Sequence, residues 1–306
     1  MALLASAGGP ICFWCGQVWS SLWRAGALAL PKPAAKLSIG RQSFGGKVSN
    51  HNEVVRDSFT TQAKAFASNP WVTNEERISR LVASARLKGT ERVLDIATGP
   101  GYIAEAFAKA AREVIGVDLT AAMLAIGEER AKERGISNVS FRIGDVQQLP
   151  FENEQFDVVV SRLALHHMQE PGRVVREMAR VCRVGGTVLV EDIYSSEHME
   201  RAKYQDHWEK LRDPSHVRVL PLSEHLRLFR DAGLETDGVK TFDDLCPEVE
   251  RWLATTKAPP ERADEVRRLL ETDRLQDLSG TRPFQDATGR LYFHARTAIL
   301  TGRRFR

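Results

Sequence analysis

Val93-Leu94-Asp95-Ile96-Ala97-Thr98-Gly99-Pro100-Gly101 decides the fold of this chain. A short apolar run ends in an acid and a glycine-rich turn, and a helical pattern opens directly behind it over residues 102–112. This order predicts a buried strand, a tight turn and a helix N-terminus. In open α/β sheets, ligands bind at the carboxyl ends of strands, beside such turns. Gly99 and Gly101 carry no Cβ, so the backbone can turn sharply there and approach a ligand closely. Gly99-Pro100-Gly101-Tyr102-Ile103-Ala104 fits the dinucleotide signature G-x-G-x-x-A. Asp95 argues against that ligand. A pyrophosphate has no use for a carboxylate just before the turn, whereas a cofactor with a cationic end does.

Outward from this unit, strands and helices alternate. Strands are predicted over residues 92–97, 114–118, 139–143, 156–161 and 186–191, with helices from 102, over 121–134 and over 173–182. Continuous Val, Ile and Leu runs imply strands buried on both faces. The order is that of a doubly wound α/β fold. Upstream, a helix is predicted over 54–66, with Val55, Phe59 and Phe66 near one face, and another over 75–86, capped by Asn74 or Thr73. Downstream the rhythm breaks into two polar, partly helical insertions, 195–221 and 243–289. Between them a helix over 223–232 and a strand over 235–242 are predicted, and a last strand over 290–301.

Asp95, Asp118 and Asp145 close three successive predicted strands. A strand-end Asp also serves as a helix cap or turn former, but three in succession match a ligand with three separate donors. S-adenosylmethionine (SAM) is such a ligand, with an ammonium, a sulfonium and no phosphate. Asp95 can face the ammonium. Asp118 lies about twenty residues past the glycine turn, the spacing for ribose recognition, and its two acceptor oxygens suit two hydroxyls. Asp145 can accept from the adenine amino group while the Val146 N–H donates to a ring nitrogen, and Met123 packs on the base. A nicotinamide cofactor would need Asp118 but neither of the others.

Asp95-Ile96-Ala97-Thr98-Gly99-Pro100-Gly101, Val117-Asp118-Leu119-Thr120, Gly144-Asp145-Val146, Leu149-Pro150-Phe151, Phe156-Asp157-Val158-Val159 and Val181-Cys182-Arg183-Val184-Gly185-Gly186 together resemble the class I SAM-dependent methyltransferases. The match is nearest to the type-11 group, which includes the ubiquinone/menaquinone C-methyltransferases. The helix over 55–66 and Arg212-Asp213-Pro214-Ser215-His216-Val217-Arg218 resemble a narrower set of bacterial methyltransferases of unassigned substrate. The resemblance covers residue 50 onward. It implies a Rossmann-like seven-stranded sheet with its last strand antiparallel, helical cap insertions, and SAM as cofactor. The expected cofactor contacts are Asp95, Ala97, Thr98, Gly99, Gly101, Asp118, Leu119, Met123, Gly144, Asp145, Val146 and Arg162.

The chain departs from relatives that would define an acceptor. After the fourth strand, Ser161-Arg162-Leu163-Ala164-Leu165-His166-His167 stands where amino-methylating nucleic-acid enzymes carry an N-P-P-Y type loop. The quinone enzymes usually read Arg-Asn near His166-His167. No His/Asp/Glu cluster has metal-ligand spacing, which argues against a metal-dependent catechol reaction. Methyl transfer chiefly needs alignment in a dry site, with a base if the acceptor is a hydroxyl or an acidic carbon. His166 and His167 are the candidate bases. Phe59, Phe66, Arg212, His216 and Arg218 are the expected acceptor-side residues, with arginine suited to a carboxylate. The leading expectation is a small-molecule methyltransferase. The alternative is a macromolecule modifier or a SAM-binding regulatory module docking through the inserts and Arg303-Arg304-Arg306.

Across 306 residues the formal charge is +3, too mild to imply a nucleic-acid partner. The four cysteines do not form a disulfide framework, which favours a reducing compartment. No apolar run reaches the length of a membrane span. Residues 1–46 contain no Asp or Glu but hold Arg24, Lys32, Lys36 and Arg41. This extension reads as an organelle presequence, translated upstream sequence or a disordered arm. Its Cys12-Phe13-Trp14-Cys15 lacks the second ligand pair that a metal site needs. The expected location is cytoplasmic, or the mitochondrial matrix if the extension is a presequence.

Overall fold

The computed structural model describes residues 51–305; the extension 1–46 and its C-x-x-C lie outside the described residues. The first five strands are β1 (Arg92–Ile96), β2 (Glu113–Asp118), β3 (Val139–Ile143), β4 (Phe156–Arg162) and β5 (Cys182–Ile193). They are followed by β6 (Leu234–Phe242), the two-residue strands β7 (Phe284–Gln285) and β8 (Leu291–Tyr292), and β9 (Thr297–Arg304). The main sheet runs β3-β2-β1-β4-β5-β9-β6. β1 to β5 pair in parallel, and β9 lies antiparallel between β5 and β6. The seven-stranded doubly wound sheet with one antiparallel strand is therefore present.

Helices α1 (His51–Ala67), α2 (Pro70–Thr73), α3 (Glu75–Ser84), α4 (Tyr102–Ala108) and α5 (Ala121–Glu133) belong to the first half. Helices α6 (Pro171–Val181), α7 (Met199–Arg212), α8 (Leu222–Asp231), α9 (Val249–Thr256) and α10 (Pro260–Gln276) belong to the second. Asn74 caps α3, its side chain accepting from the Arg77 N–H at 3.0 Å. Strand residues alternate between two cores. Val93, Val158 and Val160 join Ile78, Leu81 and Phe107 on one face of the sheet, while Leu94 and Val159 join Val174, Met178 and Phe229 on the other. Strand order reverses between β1 and β4, and the crevice at that reversal is where such sheets bind ligands.

The last strand begins later than its sequence pattern predicts. Leu291 and Tyr292 pair with Gln285 and Phe284 in a separate hairpin. Phe293 then enters a third core, its ring 5.2 Å from that of Trp208 and 5.0 Å from that of Trp252. That core also holds Val249, Leu253, Val266 and Leu270, so α7 of the first insertion and α9 and α10 of the second form one helical body. The apolar run Leu291-Tyr292-Phe293 thus serves this body, and sheet pairing starts only at Thr297.

Candidate active site

The carboxyl ends of β1, β2 and β4 open into a cavity. Its lining includes Asp95, Ala97, Thr98, Gly99, Asp118, Leu119, Met123, Asp145, Val146 and Arg162, so ten expected cofactor residues converge there. Gly101 and Gly144 do not line it. Gly101 has φ +79°, and a Cβ there would fall 2.7 Å from the Phe141 ring. Its place in the motif reflects this close approach as well as the turn. Gly144 donates its N–H to the Asp118 carbonyl at 3.0 Å, and a Cβ there would press on Val117.

Each acid is held by local backbone. Asp95 is buried and accepts from Thr98 Oγ1 at 2.5 Å. Burial raises its pKa to about 7, against the lowering effect of that hydrogen bond. Its contribution to stability therefore falls as pH rises from the ordinary carboxylate range to about 7. Asp118 accepts from the Gly99 N–H and the Thr120 N–H, each at 2.9 Å, which ties the glycine turn to β2. Burial raises its pKa too. Asp145 accepts from the Gln147 N–H and from Asn52 Nδ2, both at 2.8 Å. Ala97 and Leu163, which line the cavity just past β1 and β4, hold left-handed φ values of 50° and 52°. Such strain at non-glycine residues concentrates at functional edges.

Arg162 lines the cavity, but its guanidinium donors are committed elsewhere. Nε donates to Glu191 at 3.1 Å, and the two terminal nitrogens donate to the Val72 and Trp71 carbonyls at 3.0 Å. The cavity thus presents three carboxylates and no arginine directed at a phosphate. This donor set fits a cofactor with a cationic end and hydroxyl donors, and does not fit a pyrophosphate.

Helix α1 covers the crevice. His51 Nε2 donates to the His167 carbonyl at 2.8 Å, and Val55, Phe59 and Phe66 line the cavity. The Phe59 and Phe66 rings meet edge to face at 5.7 Å, and Phe59 meets the His167 ring at 5.0 Å. A second cavity shares Phe59, Phe66, Val72, Leu163 and His167 with the first. Beyond that shared wall lie Trp71, Trp252 and Phe293 with His166, Glu209, Arg212 and Asp213.

His167 stands at the junction. Its Nδ1 lies 3.1 Å from the Ser215 carbonyl and 3.1 Å from Ser215 Oγ. A carbonyl only accepts, so Nδ1 carries the proton and Nε2 keeps its lone pair. Ser215 Oγ donates to Asp213 Oδ1 at 2.6 Å, and Asp213 also accepts from Ser58 at 3.3 Å. Burial lowers the His167 pKa to about 3, so the ring is neutral at neutral pH. His166 lines only the second cavity and pairs with Asp192 at 2.6 Å. Burial disfavours its charge, but Asp192 outweighs burial and raises its pKa.

Of the expected acceptor-side residues, Phe59, Phe66 and Arg212 line the second cavity. His216 and Arg218 line neither cavity. His216 Nε2 pairs with Asp206 at 3.1 Å, and Arg218 forms a two-bond pair with Glu224 at 2.7 and 2.8 Å. The charge cluster in 212–218 thus splits, because one turn of backbone separates an inward Arg212 from an outward Arg218. Asn52, Ser58, Glu209, Asp213 and Ser215 also reach the two cavities or their hydrogen-bond network, although none is among the expected site residues. Asn52 was within reach, one turn before the Val55/Phe59/Phe66 face. Asp213 and Ser215 stand inside the 212–218 stretch expected on the acceptor side, but only its Arg212, His216 and Arg218 are expected site residues.

Residues 94–190 match the methyltransferase domain family. The uncharacterised methyltransferase YcgJ of Bacillus subtilis is 32% identical over 208 residues, 68% of this chain and 82% of that one. The YcgJ crystal structure aligns with a TM-score of 0.69 at 29% identity, over 76% of this chain and 100% of that one. The uncharacterised protein YafE of Escherichia coli is 36% identical over 154 residues, 50% of this chain and 74% of that one. The ubiquinone/menaquinone biosynthesis C-methyltransferase UbiE of Burkholderia vietnamiensis is 35% identical over 143 residues, 46% of this chain and 55% of that one. Among the described residues, no helix is long and apolar enough to cross a membrane, and no group of three His, Cys, Asp or Glu is placed to hold a metal ion.

Proposed function

This chain belongs to the SAM-dependent methyltransferases, and on that premise we propose that it methylates a small molecule held in the second cavity. One observation carries the reading: an aromatic-walled cavity meets the cofactor crevice at a neutral histidine, His167. An open, basic mouth would instead favour a macromolecular acceptor. The second cavity's walls set Arg212 against two acids, Glu209 and Asp213.

SAM supplies, when bound, a methyl group activated by its sulfonium. In the proposed arrangement Asp95 faces the ammonium, Asp118 accepts the ribose hydroxyls, and Asp145 with the Val146 N–H holds the adenine edge. Asn52 closes over Asp145 from α1. His167, neutral and with Nε2 unprotonated, accepts a hydrogen bond from the acceptor's O–H or N–H and orients it toward the methyl group. The Ser215–Asp213 chain behind it holds the tautomer. Arg212, stacked over Trp252 at 4.2 Å, is placed for an anionic group of the acceptor.

Two measurements check this reading. Asp95 titrates near 7 and must be ionised to hold a cation, so SAM affinity is full above that pH and falls as the carboxyl protonates. Calorimetry should show affinity about tenfold weaker at pH 6 than at pH 8. A flat profile would remove Asp95 from the ammonium site. For the acceptor, methyl-labelled SAM is supplied with the purified protein to a small-molecule extract from cells lacking the gene. Label should appear in a small molecule, and label found only in protein or nucleic acid would overturn the proposal. With that acceptor, His167→Ala should slow turnover about a hundredfold through lost orientation of the acceptor, with SAM affinity unchanged.

A further inference from the structure

We infer that Glu209 is the acid that recognises the acceptor, taking a hydrogen bond from an amine or hydroxyl at the end remote from the cofactor. The inference rests on reading the second cavity as the acceptor site. Glu209 lines that cavity and not the cofactor crevice. It is only 6% exposed, and among the described residues no hydrogen bond or ion pair reaches its carboxyl group. The neighbouring acids differ. Asp206 is held by His216 and the Val219 N–H, and Asp213 by Ser58 and Ser215.

Arg212 lies three residues on along the same helix, a spacing at which ion pairs form readily. It does not pair with Glu209. Its Nε donates to the Trp252 carbonyl at 3.1 Å, and its guanidinium carbon lies over the Trp252 ring, 4.2 Å from the centroid. Burying an unpartnered acid costs stability. Burial raises the Glu209 pKa, while His216, Arg212 and His166 oppose that shift without hydrogen-bonding to it. A buried acid with unmet acceptor capacity, facing a cavity walled by Trp71, Trp252 and Phe293, matches a flat apolar body that carries a donor group.

Three probes test the inference on protein saturated with S-adenosylhomocysteine at pH 7: benzylamine, benzyl alcohol and toluene. The donor-bearing probes should bind about tenfold more tightly than toluene, because desolvating an unmatched acid penalises the apolar probe. The stronger of the two donors shows whether Glu209 acts as an anion selecting a cation or as an acceptor for a neutral hydroxyl. Glu209→Leu should abolish the preference over toluene, and Glu209→Gln, which keeps an acceptor oxygen, should retain it for benzyl alcohol. Glu209→Leu should also melt no lower than the wild type. An unchanged preference in Glu209→Leu, or a lowered melting temperature, overturns the inference and marks Glu209 as structural. Ala295→Phe, which fills the same cavity, should exclude all three probes. Absence of binding to the wild type, or binding that Ala295→Phe leaves intact, overturns the acceptor-cavity reading itself.

Discussion

Glu191→Ala should destabilise the protein by about 3–5 kcal/mol, lowering the melting temperature by about 10 °C. Glu191 on β5 is 2% exposed and lies between two buried guanidinium groups. Arg77 Nη2 donates to it at 2.9 Å from α3, and Arg162 Nε at 3.1 Å from β4. Removing the carboxylate leaves like charges facing each other in the interior. Asp244 would still hold Arg77, at 3.0 Å from its Nη1, but it is itself partly exposed. Arg162 keeps only the Trp71 and Val72 carbonyls. Those carbonyls belong to α2, and Val72 walls both cavities, so SAM affinity should weaken as well. Replacing all three charged residues by apolar ones of similar size should recover most of the stability, because the cost comes from breaking the triad rather than lacking it. Thermal melts decide the matter. A shift of less than about 2 °C in the single variant would mean that water reaches the two arginines.

Asp118→Ala should weaken SAM binding about a thousandfold, on the order of 4 kcal/mol, from the loss of two charge-assisted hydrogen bonds to the ribose. The same change frees the Gly99 and Thr120 N–H groups that the carboxylate now holds, so the glycine turn loosens too. Asp118→Asn should be nearly as weak. Its amide nitrogen would point a donor at one of those N–H groups. The wild type should bind SAM and S-adenosylhomocysteine by calorimetry, and NAD far more weakly. A loss below tenfold in Asp118→Ala would place the ribose elsewhere in the crevice.

Much of this protein was written locally in its chain. The βα alternation follows from apolar runs whose period changes from strand to helix, so the strand ends of β1 to β4 were legible within about a residue or two. Asp95, Asp118 and Asp145 were legible for the same reason. Each sits at or just past the end of a strand, including the half-buried to exposed β3, and a parallel sheet places all its carboxyl ends on one edge. The sign of the three groups then separated a cationic cofactor from a dinucleotide without any coordinates.

Tertiary structure decided the rest. Gly101 resembles a ligand-binding glycine in sequence, but the Phe141 ring from β3 occupies the space its side chain would need. Arg212 and Arg218 are alike in a charge count. Only the packing of α7 on α9 and α10 turns Arg212 inward over Trp252 and leaves Arg218 to Glu224. His167 stands apart from its neighbour His166 because the 3₁₀ turn Leu165–His167 directs one ring to Ser215 and the other to Asp192. Glu209 had no signal at all. It is one acid in a polar helix, and its lack of a partner is a property of the fold around it. Periodicity reports which residues share a face, whereas burial, partners and cavities depend on segments distant in the chain.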